Sequence, residues 1–284
     1  MNYNLSNQII SDVYIDEPYY YANISAPVIG GSGYLDSSLI ARNGYNSLGV
    51  RTQLKRLRQL FIDNNKRPAI WIDASTGYVA PHMWAFADIV SDGEGVFVLN
   101  PGDPDWIDRY NTPQGINWLK GISRTQKYGW VQAFLDEIRI YSDESYPAHY
   151  RAMMAMLSLF DITPTSNPWM SDWTNYLQAR INVGMLTTQA AFHPYWTQSE
   201  ITSASAASVV CSYHAIGNSR LAHCANLGSS AYSGPINIDQ AALGLTGTLS
   251  VVDGETSTAL AYANGAVPVA IGKHDYRILK ISGN

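Results

Sequence analysis

From residue 9 to about 163 the chain alternates short apolar runs with stretches of helical period, and this alternation constrains the fold more than any other feature of its 284 residues. Strand, helix and strand in short succession need crossover connections, and crossovers make neighbouring strands parallel. The runs are IISDVYID, AIWID at 69–73 and the strand end IVSDGEG, which enters a glycine loop. RTQLKRLRQLFIDNN is the clearest helix, with Leu54, Leu57, Leu60 and Phe61 on one stripe and Pro68 as its stop. PHMWAFAD at 81–88 reads as a short helix opened by proline, and ISRTQKYGWVQAFLDE as helix then strand. YPAHYRAMMAMLSLFDI reads as a methionine-rich packing helix entering a last strand, its methionines filling core, and WTNYLQARINVGML as a closing helix. Between these lies NPGDPDWIDRYNTP at 100–113, expected to be a long loop, and loops of that size in a compact domain usually serve a purpose.

Near residue 200 the pattern changes. From SASAASVVCSYHAI to DYRILKI the chain has period-2 strands separated by Gly, Asn and Ser turns, with no helical stripe. This predicts a small antiparallel β-sandwich of roughly 85 residues, 200–284, after an α/β region, 1–199. Inside it, Cys211 and Cys224 flank Ile216-Gly217-Asn218-Ser219. If Gly217 and Asn218 form a two-residue hairpin loop, facing residues sum to 435 and the two cysteines face each other at a non-hydrogen-bonded position, about 4.5 Å apart at Cα. They are then either bridged, in an oxidising compartment, or a pair of reduced core thiols.

Charged residues are 14% of the chain and aromatics 12%, with 8 Trp and 19 Tyr against 6 Phe. Aromatics with a polar edge suit wet, apolar-faced clefts such as sugar sites, although they serve cores as well. A net charge of −5 argues against a nucleic-acid partner. The one basic run, RTQLKRLRQL, is interleaved with leucines and reads as the solvated face of a helix. No apolar stretch approaches the roughly 20 residues that span a bilayer, so no membrane partner is expected. MNYNLSNQIISDVYID has no basic and then apolar leader pattern, so no signal peptide is read there.

Three apolar runs end in acids: Asp16 and Glu17 after VYI, Asp73 after AIWI, and Asp92 and Glu94 after DIV. In parallel β/α folds the C-terminal strand ends gather on one face, where active sites sit, so these acids are expected to converge. The plainer alternative is that some cap the helix or loop that follows. Convergent carboxylates serve glycoside hydrolysis, which needs a proton donor and a second carboxylate, or the binding of a hard cation. No zinc pattern is present, since His82, His149, His193, His214, His223 and His274 are scattered. Neither a metal nor any other cofactor is therefore expected. Trp71, Trp84, Trp106, Trp118, Trp130 and the run Tyr19 to Tyr21 lie at these strand ends or in the long loop, which favours a carbohydrate. GGSG at 30–33 lacks the Lys-Ser/Thr of a phosphate loop and reads as a flexible turn.

Taken together, VYIDEP, RNGYNSLGVRTQLKRLRQL, AIWIDAS, HMWAFADIVSDGEG, ISRTQKYGW and HDYRILKI resemble the C-terminal part of a bacterial TIM-barrel glycoside hydrolase of the family 123-like group, or of a related glycosidase-like family. The resemblance implies a partial (β/α)8 barrel, about strands 4–8, as the catalytic region 1–199, with an appended sandwich, and a secreted or periplasmic address. It implies that Glu17 is the general acid/base and that Asp16 orients a substrate 2-acetamido group acting as internal nucleophile. A second assignment pairs Asp16 as nucleophile with Asp92 or Glu94 as proton donor. Tyr19, Trp71, Asp73, Trp84 and Trp130 are then the expected substrate-binding residues. If VYIDEP is the fourth strand, about five of eight barrel strands are supplied, and a missing N-terminal half-barrel becomes an expected partner. The competing functions are a non-catalytic carbohydrate-binding protein and a metal-dependent hydrolase using the same acids.

Overall fold

In VYI and IWID every second side chain is apolar, and such segments pair with IVSD into a sheet whose two faces differ. The computed structural model describes residues 12–16, 34–42, 44, 47–73, 84–92, 105–123, 131–134, 147–164, 171–185 and 190–283. The chain divides into two units, Met1–Val96 with Arg124–Leu135, and Phe97–Ser123 with Asp136–Asn284.

The first unit runs β1 (Val13–Ile15), β2 (Tyr34–Leu35), β3 (Ala41–Arg42), α1 (Ser47–Asp63), β4 (Ile70–Asp73), β5 (Ile89–Asp92) and β6 (Val131–Phe134). β1, β4, β5 and β6 form a parallel sheet in that order, with Tyr14 in register with Trp71, Trp71 with Ile89, and Asp73 with Ser91. One face is apolar. Ile70, Ile72 and Val90 pack with Leu54, Leu57 and Phe61 of α1 and with Trp84 and Ala87, and Val13 and Ile15 join at the edge. The 3- and 4-residue spacing of the α1 trio makes that stripe, while Leu60 is only partly buried. Asn65, at φ 54°, ends the helix in a left-handed turn, with its own N–H on Ile62 O and the Lys66 N–H on Phe61 O. Arg58 ties the helix to the sheet through Asp88 at 2.9 Å, and the other oxygen of Asp88 accepts from Ile70 N–H.

The second unit contains α2 (Trp106–Tyr110), α3 (Pro113–Ser123), α4 (Pro147–Ser158), β7 (Thr163–Pro164), α5 (Ser171–Asn182), β8 (Ala191–His193), β9 (Ile201–Ser203), β10 (Val209–Ile216), β11 (Ser219–Asn226), β12 (Tyr232–Ile238), β13 (Leu249–Asp253), β14 (Ala266–Ile271) and β15 (Asp275–Gly283). Within this unit antiparallel pairing begins at β8, and the strands from there form two sheets, β13-β15-β11-β10-β8 and β14-β12-β9. Cys211, Tyr213, Ala222, Val251 and Ile281 of the first share one core with Ile236, Ile238, Val267 and Ile271 of the second. The hairpin is the expected one. Ile216 faces Ser219, Gly217 has φ 53°, and Cys211 faces Cys224 in a disulfide with Cα atoms 4.1 Å apart.

The other face of the five-stranded sheet is covered by helices: α4 packs on β11 and β15, and α5 on β15. Tyr150, Met153, Met154 and Met156 of α4 are buried, as core filler should be. Arg151 reaches Asp275 at 2.6 Å and Glu255 at 3.2 Å, with its guanidinium 4.4 Å from the Tyr276 ring centroid. The expected loop at 100–113 is corrected in part. Residues 106–110 are helical, with Ile107 fully buried, and α3 already begins at Pro113. The Pro, Asp and Asn content masked one short turn, which tertiary bonds hold: Asn111 Nδ2 donates to Leu227 O at 3.2 Å, and Asp108 meets His274 Nε2 at 3.0 Å.

Candidate functional site

Period-2 alternation puts Tyr14, Trp71, Asp73 and Ser91 on the side of the parallel sheet opposite the α1 core, and Asp16 follows β1 with the same parity as Tyr14. These side chains are linked. The Tyr14 hydroxyl donates to Asp16 Oδ1 at 3.3 Å and lies close enough to Asp73 to feel its charge. The Tyr14 ring meets Trp71 edge-on, with centroids 5.5 Å apart and planes at 84°. The Trp71 indole N–H donates to Ser91 Oγ at 2.9 Å, and the Ser91 hydroxyl has Ile72 O at 3.3 Å and Asp73 Oδ1 at 3.4 Å as acceptors.

Asp73 is 1% exposed and Asp16 is exposed, so neighbouring strand ends supply one sheltered and one accessible carboxylate. The Tyr14 phenol is pushed well above its ordinary value, first by burial and then by the charges of Asp73 and Asp16. It therefore stays protonated across the physiological range and donates its single proton to Asp16.

The structure brings together three of the sequence-derived candidates: Asp16, Trp71 and Asp73. Trp84 lies elsewhere, 3% exposed in the apolar cluster with α1, where its ring fills core and does not face the acids. Asp92 is the last residue of β5, in register with Phe134, and it is Ser91 that stands beside Asp73. Glu17, Tyr19, Glu94 and Trp130 lie outside the described residues. Sequence reading missed Tyr14 and Ser91. The signal was there: aligning VYID with IWID puts Tyr14 level with Trp71 and Asp16 level with Asp73.

One cluster of metal-ligand types occurs among the described residues, in the second unit. Asp105, Asp108 and His274 offer ligand atoms within 4.8 Å of one another. Lys273 Nζ already lies 2.5 Å from Asp105, and His274 presents one ring nitrogen to each acid, at 3.6 and 3.0 Å. That arrangement is an ion-paired clasp holding α2. No helix among the described residues is long and apolar enough to cross a membrane.

No family model matches the chain, and no curated protein does. Solved structures do. An arabinose-bound variant of a family 27 β-L-arabinopyranosidase from Geobacillus stearothermophilus superposes at TM-score 0.55 and 10% identity, over 100% of this chain and 61% of that one. The fold is glycosidase-like. The wild-type form of the same enzyme gives TM-score 0.54 at 10% identity, over 99% of this chain and 60% of the other. An α-galactosidase I from Mortierella vinacea is matched at TM-score 0.45 and 13% identity, over 99% of this chain and 91% of that one. The chain thus spans about three fifths of the length of the arabinopyranosidase structures.

Proposed function

We propose that the chain belongs to a glycoside hydrolase that cleaves glycosidic bonds by carboxylate acid/base catalysis at the C-terminal ends of its parallel strands. The observation that carries this reading is the linked set Tyr14, Asp16, Trp71, Asp73 and Ser91 on the sheet face turned away from the α1 core. An indole and a phenol beside two acids suit a sugar, whose C–H faces stack on rings while its hydroxyls bond to carboxylates. In this reading the parallel sheet is part of a (β/α)8 barrel completed by further β/α units, and the two antiparallel sheets are an accessory sandwich.

Exposed Asp16 is the acid that meets the substrate, and Glu17 beside it is the proton donor. Asp73, sheltered, positions Asp16 through Tyr14 and orients Trp71 through Ser91. The likeness of VYIDEP to family 123 makes a 2-acetamido sugar the first substrate class to test, with Asp92 or Glu94 as donor if Asp16 is itself the nucleophile.

The test is hydrolysis of aryl glycosides of hexoses and N-acetylhexosamines by the full chain, alongside Glu17→Gln and Asp16→Asn. Turnover that falls about 100-fold in either variant supports the roles given. Unchanged turnover in both removes the pair from the mechanism. Sugar-dependent quenching of tryptophan fluorescence with no hydrolysis of any glycoside would instead make the chain a carbohydrate-binding protein.

A further inference from the structure

The helix-covered face of the five-stranded antiparallel sheet is not wholly apolar. His214 of β10 and His223 of β11 lie side by side, 1% and 0% exposed, with ring centroids 5.6 Å apart. Asp161, in the turn after α4, has one oxygen 3.0 Å from both Arg180 Nη2 and His214 Nε2. Arg180 is on α5 and also donates to the Tyr176 hydroxyl at 2.5 Å, and the Tyr176 ring tilts against His223 at 5.5 Å. Among the described residues no group hydrogen-bonds either ring nitrogen of His223.

A core that needed only bulk at this position would be served better by Phe or Leu, which bury no polar atoms. His223 differs from them in being able to take up a proton. We propose that His223 is an acid trigger whose protonation releases α5, together with the turn that carries Asp161, from the sheet.

The surroundings of His223 dictate that outcome. α5 presents Tyr176 and the Arg180 guanidinium, β10 presents His214 and, directly in register, Ser212, and β15 presents Ile278. The Ser212 hydroxyl is already engaged, donating to Leu159 O at 2.8 Å and accepting from Tyr195 N–H. Among the described residues the anion that acts on it is Asp161, which Arg180 and His214 already hold. An imidazolium here would be buried, unpaired and beside a guanidinium, so it is accommodated only if the helix lifts and admits water.

The direction with pH follows. Burial, and then the charges of His214 and Arg180, push the His223 pKa well below the ordinary 6.5, with Asp161 opposing them weakly. A base depressed in the folded state binds fewer protons folded than unfolded. Its stabilising contribution is complete above 6.5 and is lost progressively as pH falls below that value. Asp161 does not compete in this window. Burial raises its carboxyl, but the hydrogen bond and charge of His214 and the charge of Arg180 outweigh that and hold it well below the usual carboxylate range, so its own loss comes at lower pH. His193 on β8 is also depressed by burial, which makes a His223 variant the necessary control.

The test is amide hydrogen exchange on the full chain at about pH 7.5 and about pH 5, corrected for intrinsic rates. Protection of residues 159–163 and 174–182 should fall at least about tenfold on acidification while β12 and β14 stay protected, and in His223→Phe that fall should disappear. Equal protection of α5 at both pH values, or an equal fall in His223→Phe, overturns the proposal. If His223→Phe does not fold, a wild-type ¹⁵N imidazole titration decides. His223 gaining charge together with α5 opening supports the trigger, and α5 opening while His223 stays neutral overturns it.

Discussion

Asp73 and Asp161 are both sheltered acids on the less apolar side of a sheet, and they are held in opposite ways. Asp161 is met by a guanidinium and an imidazole, each at 3.0 Å, and helices cover the cluster. Asp73 accepts from the Ser91 hydroxyl, near the Tyr14 phenol, on the face that α1 does not cover. An acid locked by a guanidinium and an imidazole suits a structural joint, because its Oδ1 is engaged before anything else arrives. Through Ser91, Asp73 is linked instead to the indole of Trp71 on the neighbouring strand.

The largest expected effect tests the locked side. Arg180→Met strands a carboxylate and should destabilise the second unit by about 3 kcal/mol in urea unfolding, the low end for a buried pair because 24% of the Asp161 side chain is exposed. Asp73→Asn keeps the shape of its site and should cost under about 1 kcal/mol. Equal losses in the two variants would erase the contrast. Next in size, Glu17→Gln or Asp16→Asn should slow glycoside hydrolysis about 100-fold, close to 2.7 kcal/mol, with the urea midpoint unmoved. Arg180→Met, assayed where it remains folded, should leave turnover within about twofold if its cluster is structural.

The disulfide comes third. Breaking Cys211–Cys224, 13 residues apart in sequence, with a thiol reductant should lower stability by about 2 kcal/mol, with the mass rising by two hydrogens. Arg58→Met, which removes the half-exposed pair with Asp88, should be the smallest, below about 1 kcal/mol in the first unit. A larger loss would mean that Asp88, which also caps the Ile70 N–H, depends on the guanidinium for its position.

Much of the fold was legible in local pattern. The α1 stripe, the end of that helix before Pro68, the parallel run of VYI, IWID and IVSD, and the hairpin that places Cys211 against Cys224 all follow from period and turn chemistry, which act over a few residues. The α2 turn was hidden because its helical state rests on Asn111 and Asp108 bonding to residues more than a hundred positions away. Of the candidate site, the acids stood out because charge after an apolar run is conspicuous. Tyr14 and Ser91 did not, since Tyr and Ser are unremarkable in a strand until their partners are known. Trp84 looked like a sugar platform by its nearness to an acid in sequence and turned out to be core.

The sequence alone determined parity and register: which residues alternate together along each strand, and which cysteines meet across a two-residue turn. It could not determine which parity would be covered. That choice was made when Leu54, Leu57 and Phe61 packed against Ile70, Ile72 and Val90, leaving Tyr14, Trp71, Asp73 and Ser91 on the opposite face. The same holds for His223, an ordinary strand residue in the text, whose burial beneath α5 exists only once helix and sheet have docked. The physical reason is common to both. Alternation is a property of one strand's backbone, whereas burial, and with it the cost or use of a charge, belongs to whatever packs on top.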